Sequence, residues 1–246
     1  MKVFVAGATG AIGRRLVPLL AANGYEVVAM TRSADKAREL YEHGAEPVVA
    51  DGLDRDAVVE AVTRAEPEVV IHQMTALATV KSFKRFDEEL AATNRLRIEA
   101  SDHLLEAARA AGVRRVLAQS YGLWRYAGGG ALKTEEDELD PSPPASMRRT
   151  LAGIRHLEAA VTGDRRVEGL VLRYGFFYGP GTGIAEGGSV VDLVRKRKWP
   201  VVGDGSGVWS FVHVDDAAAA TFAAIEQGAP GVYNVADDKP APIAVW

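Results

Sequence analysis

The sequence predicts an α/β fold in which helices wind both faces of a parallel sheet, and three observations carry that prediction. The chain begins with a strand and glycine-rich turn, VFVAGATGAIG at 3–13, running into a helical pattern at 14–22. Short β-rich apolar runs then alternate with helical patterns through short connections, as parallel strands joined by crossovers require. At 246 residues and 48% hydrophobic content, the chain can bury a large core within one domain. It is read as a single domain over 1–246, with substrate-region insertions roughly at 123–146, at 179–210 and at the C-terminal end.

Val3, Phe4 and Val5 form an apolar run of the kind buried on both sheet faces. Leu16, Val17, Leu19 and Leu20 mark the apolar side of the first helix. A second strand falls at 26–30, a helix at 34–43, a third strand at 47–50, and a helix at 55–64 capped by Asp54. The fourth strand, 68–71, runs into His72-Gln73-Met74-Thr75, with His72 read as a buried, hydrogen-bonded histidine. One long helix is expected at 86–111, closed by Gly112 and carrying Asn94 in its interior. A fifth strand at 114–119 then delivers Ser120 and Tyr121 at its carboxyl end.

The stretch 127–146, with Gly128–Gly130 and an acidic cluster from Glu135 to Asp140, reads as a loop over the cleft with a solvated acidic surface. A helix at 147–161 and a strand at 167–173 follow, and the glycine-rich loop 181–188 is expected to border a substrate pocket. Residues 190–198 are helical, with Arg195–Lys198 as a solvated helix end. The stretch 208–214 has strand character, Asp215-Asp216 cap a helix at 217–227, and 232–235 gives a last strand. His213 reads as strand-end packing.

The glycine-rich turn points to a nucleotide. A strand feeding a helix through such a turn aims backbone N–H groups and the positive end of the helix dipole at a pyrophosphate. Gly7 allows the tight turn, Gly10 lets the phosphate approach, and Gly13 lets helix and strand pack closely. Thr9, Ala11 and Ile12 complete the cradle. At the end of the second strand, where an NAD site carries a carboxylate for the ribose 2′-hydroxyl, the chain has Thr31-Arg32-Ser33. Arg32 and Ser33 suit a 2′-phosphate, so NADP(H) is expected in preference to NAD(H). Asp51 is placed to reach the adenine amino group, with Gly52 beside it and Leu53 packing on the ring. Gln73, Met74 and Thr75 should lie along the cofactor, because ligands sit at the carboxyl ends of parallel strands. Asn94, Gly175 and Phe176 join the cofactor-binding set.

Composition sets the remaining bounds. A formal net charge of -4 suggests neither a nucleic-acid nor a membrane surface. The absence of cysteine excludes disulfides, thiolate metal sites and a cysteine nucleophile, and no metal site is expected. Met1 leads straight into the first strand, so no signal peptide is read, and no apolar run reaches membrane-spanning length; a cytoplasmic protein is the expectation.

Taken in order, these pieces resemble the extended branch of the short-chain dehydrogenase/reductase superfamily, its epimerase/dehydratase-like group. The resemblance runs through GATGAIG at 7–13, Asp51, VIHQMTA at 70–76, Asn94, Ser120, LRYGFFYG at 172–179, FVHVDD at 211–216 and Tyr233-Asn234-Val235. It implies a Rossmann-type doubly wound parallel sheet, a nicotinamide cofactor and a small C-terminal substrate-binding region. Members of the group usually continue beyond the equivalent of Trp246.

The resemblance also implies a Tyr-x-x-x-Lys pair on the helix after the cleft loop, the tyrosine as general acid/base and the lysine lowering its pKa. This chain lacks it. Aligning on Glu158 puts Thr150 and Ile154 at those positions, and the alternative register puts Met147 and Leu151 there. Three functions then remain open. One is an NADP(H)-dependent oxidoreductase of a small carbonyl, enone or imine, with Ser120 binding the developing oxyanion and Tyr121 or Tyr174 giving the proton. An activated acceptor would need less acid assistance. The second is a nucleotide-binding lyase, isomerase or cyclase in which Ser120, Tyr121 and Asn94 orient the substrate, and the third is a catalytically silent NADP(H)-binding regulator. Trp124, Tyr126, Phe176 and Tyr178 suggest an aromatic edge to a small-molecule pocket. Related folds often dimerise through the two long helices, here 86–111 and 147–161, where Ala152 and Gly153 would permit close packing.

Overall fold

The computed structural model describes residues 1–77, 85–122, 126–130, 132–199, 201 and 203–245. In chain order the first elements are β1 (Lys2–Ala6), α1 (Gly13–Ala22), β2 (Glu26–Thr31), α2 (Ala34–Glu42), β3 (Ala45–Val49), α3 (Arg55–Ala65) and β4 (Val69–His72). Next come α4 (Phe86–Glu89), α5 (Ala91–Arg95), a π-helical turn (Leu96–Ala100), α6 (Ser101–Ala110), β5 (Arg115–Tyr121), α7 (Arg148–Gly163) and β6 (Glu168–Tyr174). The last are β7 (Phe176–Tyr178), α8 (Ser189–Arg195), β8 (Val208–Trp209), β9 (Phe211–His213), α9 (Val214–Ala223), β10 (Gly231–Val235) and β11 (Ala241–Pro242).

Seven strands form one parallel sheet in the order β10-β6-β5-β4-β1-β2-β3. From β1 the chain builds outward to β2 and β3, then returns to the other side for β4, β5 and β6. The order therefore reverses between β1 and β4, and a crevice opens at their carboxyl ends, where such sheets bind ligands. Side chains alternate between two buried layers. Phe4, Val28 and Met30 pack with Val58, Val62, Leu104, Leu105 and Leu157 from α3, α6 and α7. Val3, Val5 and Ala29 pack with Leu16, Val17 and Leu20 of α1 and with Ala217 and Ala218 of α9. Truncating one such leucine to alanine costs roughly 2–5 kcal/mol.

The sequence pattern places most of these elements, with differences that have physical causes. Asp54 caps α3 by accepting from the Ala57 N–H at 3.1 Å. Gly112 follows α6 with φ +69°, the left-handed residue that ends it. The single helix expected at 86–111 is instead broken at Leu90 and again by the π-helical turn. The break lets α4 point the buried Asp87 carboxylate at the start of α7, where it accepts from the Arg149 and Thr150 N–H groups at 2.9 and 2.8 Å. Helix α7 thus takes its cap from a distant part of the chain. The strand expected at 208–214 divides into β8 and β9, β9 pairing in parallel with β7 outside the main sheet. Helix α9 is capped by His213, whose Nδ1 accepts from the Asp215 N–H, while Asp215 pairs with Arg15. The acidic cluster at 135–140 is not wholly solvated, since Glu135 accepts from the Asn234 N–H at 2.6 Å.

Candidate active site

A cavity of about 780 Å³ opens at the carboxyl ends of β1, β2, β4 and β5. The glycine turn forms one wall. Gly7 has φ +91°, and a Cβ there would lie 2.6 Å from the Gln73 carbonyl carbon; at Gly13 it would lie 2.5 Å from the Gly7 and Ala8 carbonyl oxygens. Only glycine permits these approaches. Behind the turn, Arg15 pairs with Asp215 and donates to the Ala11 carbonyl at 2.9 Å, tying the cradle to α9.

Most residues assigned to the cofactor from sequence line this cavity: Gly7, Thr9, Gly10, Ala11, Ile12, Arg32, Gly52, Gln73, Met74, Thr75, Gly175 and Phe176. Four do not. Asp51 is exposed and its carboxylate accepts from the Leu53 N–H at 3.0 Å, so it closes a turn. Leu53 packs against the core beneath. Ser33 stands at the N-cap of α2 without making a side-chain cap. Asn94 donates to Thr150 Oγ1 at 3.1 Å and accepts from Arg97 Nη1 at 3.2 Å, leaving its amide spent inside the protein.

The three candidate catalysts meet different fates. Tyr174 is fully buried, its hydroxyl 2.6 Å from Thr221 Oγ1. Thr221 gives its own proton to the Ala217 carbonyl, so Tyr174 must donate to Thr221. Burial also pushes the Tyr174 hydroxyl up to about 12. Tyr174 lines the cavity wall with its hydroxyl turned toward Thr221, and its role as proton donor stays a proposal. Ser120 also lines the cavity and donates to Glu158 Oε1 at 2.6 Å, so that bond would have to be exchanged before it could serve an oxyanion. Tyr121, half-buried at the end of β5, lines the cavity.

Beneath Ser120 lies a buried ion pair. Arg173 donates to Glu158 through Nε at 2.9 Å and Nη2 at 2.7 Å. Burial opposes the Arg173 charge, but the Glu158 carboxylate outweighs it and holds the guanidinium above its usual range. Tyr126 packs on this pair, receiving Arg173 Nη1 at 3.2 Å and lying under its guanidinium carbon at 5.3 Å. The helix face expected to carry an acid/base pair presents Thr150 and Ile154, both fully buried, and Thr150 Oγ1 donates to Asp87 at 2.7 Å.

Of the expected aromatic edge, Phe176 lines the cavity. Tyr178 instead donates to Asp237 at 2.9 Å and stacks edge-on against His213. Trp124 lies outside the described residues. The cavity also gathers residues that sequence reasoning missed: Arg14, Lys36, Arg97 and Lys196. Lys196 belongs to the cationic run read as solvated, and pairs loosely with Asp192 at 3.9 Å. Lys36 had a legible signal, lying four residues beyond Arg32 at the start of α2.

A nicotinamide dinucleotide fits these residues. The glycine cradle leaves backbone where a Cβ would intrude, and the buried Gln73 amide lines the cavity beside the Tyr174 hydroxyl. Among the described residues, no helix is long and apolar enough to cross a membrane.

Comparison with known proteins agrees with this geometry. The family model described as "NAD dependent epimerase/dehydratase family" matches residues 3–236. A Streptomyces protein named 3-diazoavenalumate denitrifying reductase is 46% identical over 247 residues, covering 100% of this chain and 79% of that protein. A Stigmatella aurantiaca 4-hydroxy-2-methyl-3-oxo-4-farnesyl-3,4-dihydroquinoline-1-oxide ketoreductase is 28% identical, covering 98% of this chain and 69% of that protein. The crystal structure of Thermus thermophilus UDP-glucose 4-epimerase in complex with NAD superposes with a TM-score of 0.76 at 27% identity, covering 98% of this chain and 79% of that one.

Proposed function

The chain belongs to the NAD dependent epimerase/dehydratase family, and we propose that it is an NADP(H)-dependent reductase of a small, strongly electron-poor aromatic acceptor of the diazo class. It is an NAD(P)-dependent enzyme by family; the cofactor preference and the acceptor are the proposal. The observation that carries the reading is that the Ser120 and Tyr174 hydroxyls on the cavity wall, and that of Thr150 away from it, are all engaged within the protein. Thr150 donates to Asp87, Ser120 to Glu158 and Tyr174 to Thr221. A site organised this way suits an acceptor that needs no proton in its reduction.

When bound, a reduced nicotinamide supplies a hydride, which at an aryl diazonium carbon replaces dinitrogen: the C–N bond breaks, a C–H bond forms, and the positive charge passes to the oxidised cofactor. The residues of the chain then have positioning tasks. The glycine turn and the N-terminus of α1 would hold the pyrophosphate. Arg32 and Lys36, both on the cavity wall, would pair with a 2′-phosphate. Gln73 would offer a donor and an acceptor to the nicotinamide half. Phe86, Leu90, Leu96 and Phe176 enclose the acceptor and exclude water. The 46% identical relative, whose name specifies a diazo substrate and its denitrification, supports this choice over a carbonyl.

A second reading, reduction of a ketone or enone with Tyr121 as proton donor, is favoured by the position of Tyr121 on the cavity wall and by the ketoreductase relative. NADPH oxidation by the purified protein with an aryl diazonium salt, and with a panel of ketones and enones, separates the two. The first reading expects turnover of the diazonium that survives Tyr121→Phe. Turnover of ketones alone, abolished by Tyr121→Phe, would replace it with the second.

A further inference from the structure

We propose that Arg97 is a specificity-determining residue that pairs with an oxyanion, carboxylate or phenolate, carried by the substrate. The inference deepens the reductase reading and rests on it for the identity of the cavity. Arg97 comes from the π-helical turn, a local irregularity often found at functional sites, and lines the cavity while only 6% exposed.

What sets it apart is its lack of a counter-ion. Arg115 and Arg173 are buried to a similar degree, and each has a carboxylate at 2.7 Å, Glu168 and Glu158 respectively. Among the described residues Arg97 makes one hydrogen bond, through Nη1 to the neutral Asn94 amide at 3.2 Å, and no ion pair. Glu158 is near enough to favour the Arg97 charge, but its oxygens are already taken by Arg173 and Ser120. A buried charge without a partner is costly, so a protein that keeps one must obtain a return from it. Burial lowers the Arg97 guanidinium to about 10, which still leaves it charged at neutral pH.

The position favours substrate over cofactor phosphate. Arg97 influences His72 and Tyr121, at the carboxyl ends of β4 and β5. The glycine turn leaves β1, which adjoins β4 and lies two strands from β5, so Tyr121 stands roughly 10 Å from it at ordinary strand spacing. Leu96, Leu90, Phe86 and Phe176 line the same cavity. An apolar, flat body with an anionic group matches an arginine among these side chains, and a planar guanidinium fork matches a carboxylate best.

The test is a calorimetric titration of the NADP⁺-saturated protein at pH 8.5 with three probes: trans-cinnamate, 4-nitrophenolate and neutral trans-cinnamamide. At least one anion is expected to bind about tenfold or more tightly than the amide, and which one identifies the oxyanion. In Arg97→Met that preference disappears while NADP⁺ affinity holds, and Arg97→Lys restores part of it. If Met at this position prevents folding, the Lys and Gln variants carry the comparison. Equal binding of all three probes, no binding of any, or an anion preference that survives Arg97→Met or Arg97→Gln would overturn the proposal. Failure of the reductase reading is separately visible: a protein that binds cinnamate through Arg97 yet oxidises NADPH with no acceptor keeps the anion site and loses the reaction.

Discussion

At the scale of single residues, hydroxyl direction decides which side chains can do chemistry. Tyr174 sits at the carboxyl end of β6, where a proton donor would be useful, yet its proton is committed to Thr221. Tyr174→Phe should therefore leave NADPH oxidation within about twofold of the parent protein. It should also lower stability by roughly 1 kcal/mol in urea unfolding, the usual worth of one hydrogen bond. A large loss of turnover with stability intact would return Tyr174 to the reaction. The opposite holds at the cavity mouth. Arg32 and Lys36 have no ion-pair partner among the described residues and line the cavity where the second strand ends. Removing both charges should weaken NADPH binding about tenfold or more, read by fluorescence titration, while NADH affinity stays level. Equal losses for both cofactors would contradict the 2′-phosphate assignment.

At the scale of elements, the segment between β4 and β5 does the most to shape the site. Its π-helical turn places Arg97 in the cavity and receives His72, whose Nε2 lies 3.4 Å from the Leu96 carbonyl while Nδ1 accepts from the Met74 N–H at 3.2 Å. Burial lowers the His72 pKa to about 4; the Leu96 carbonyl opposes this and the Arg97 charge adds to it. The folded protein thus holds His72 neutral, whereas the unfolded chain takes up a proton below about pH 6.5. Stability should fall as pH drops from about 6.5 to 4, by about 3 kcal/mol in all from this residue. Urea unfolding across that range should show the step, and His72→Gln should flatten it relative to the parent; identical slopes would show that His72 is not the source.

The same segment shows where sequence reading stops. The glycine turn, the strand ends and most of the cavity wall were legible because turn chemistry and alternation are local signals. The break at Leu90 was not, because its cause is a carboxylate, Asp87, that caps a helix about sixty residues later. Asp51 and Asn94 misled for a related reason: residue type and order identify a polar group, not the neighbour that claims it. Arg97 had no signal at all until burial and the absence of a carboxylate were visible together.

At the scale of the whole molecule, the sheet fixes a crevice at the β1/β4 reversal, and α8 and β7 with the 181–183 loop line its far side. The dimer expected through the α5–α6 and α7 region remains a proposal with one amendment. Gly153 is buried and faces Asn94 within the chain, whereas Ala152 is exposed and available to a second copy. Sedimentation at micromolar concentration should show a dimer that Ala152→Arg converts to monomer; a parent protein that sediments only as monomer would end that proposal.

Under the proposed function, this chain delivers hydride without a protein proton donor. That is tested most directly by supplying NADPH deuterated at nicotinamide C4, using each stereoisomer in turn, with an aryl diazonium carboxylate, and examining the arene produced. Deuterium from one stereoisomer should appear on the carbon that lost dinitrogen, at equal yield in Tyr121→Phe. An arene carrying hydrogen from solvent, or no NADPH oxidation with the diazonium in either protein, would contradict it.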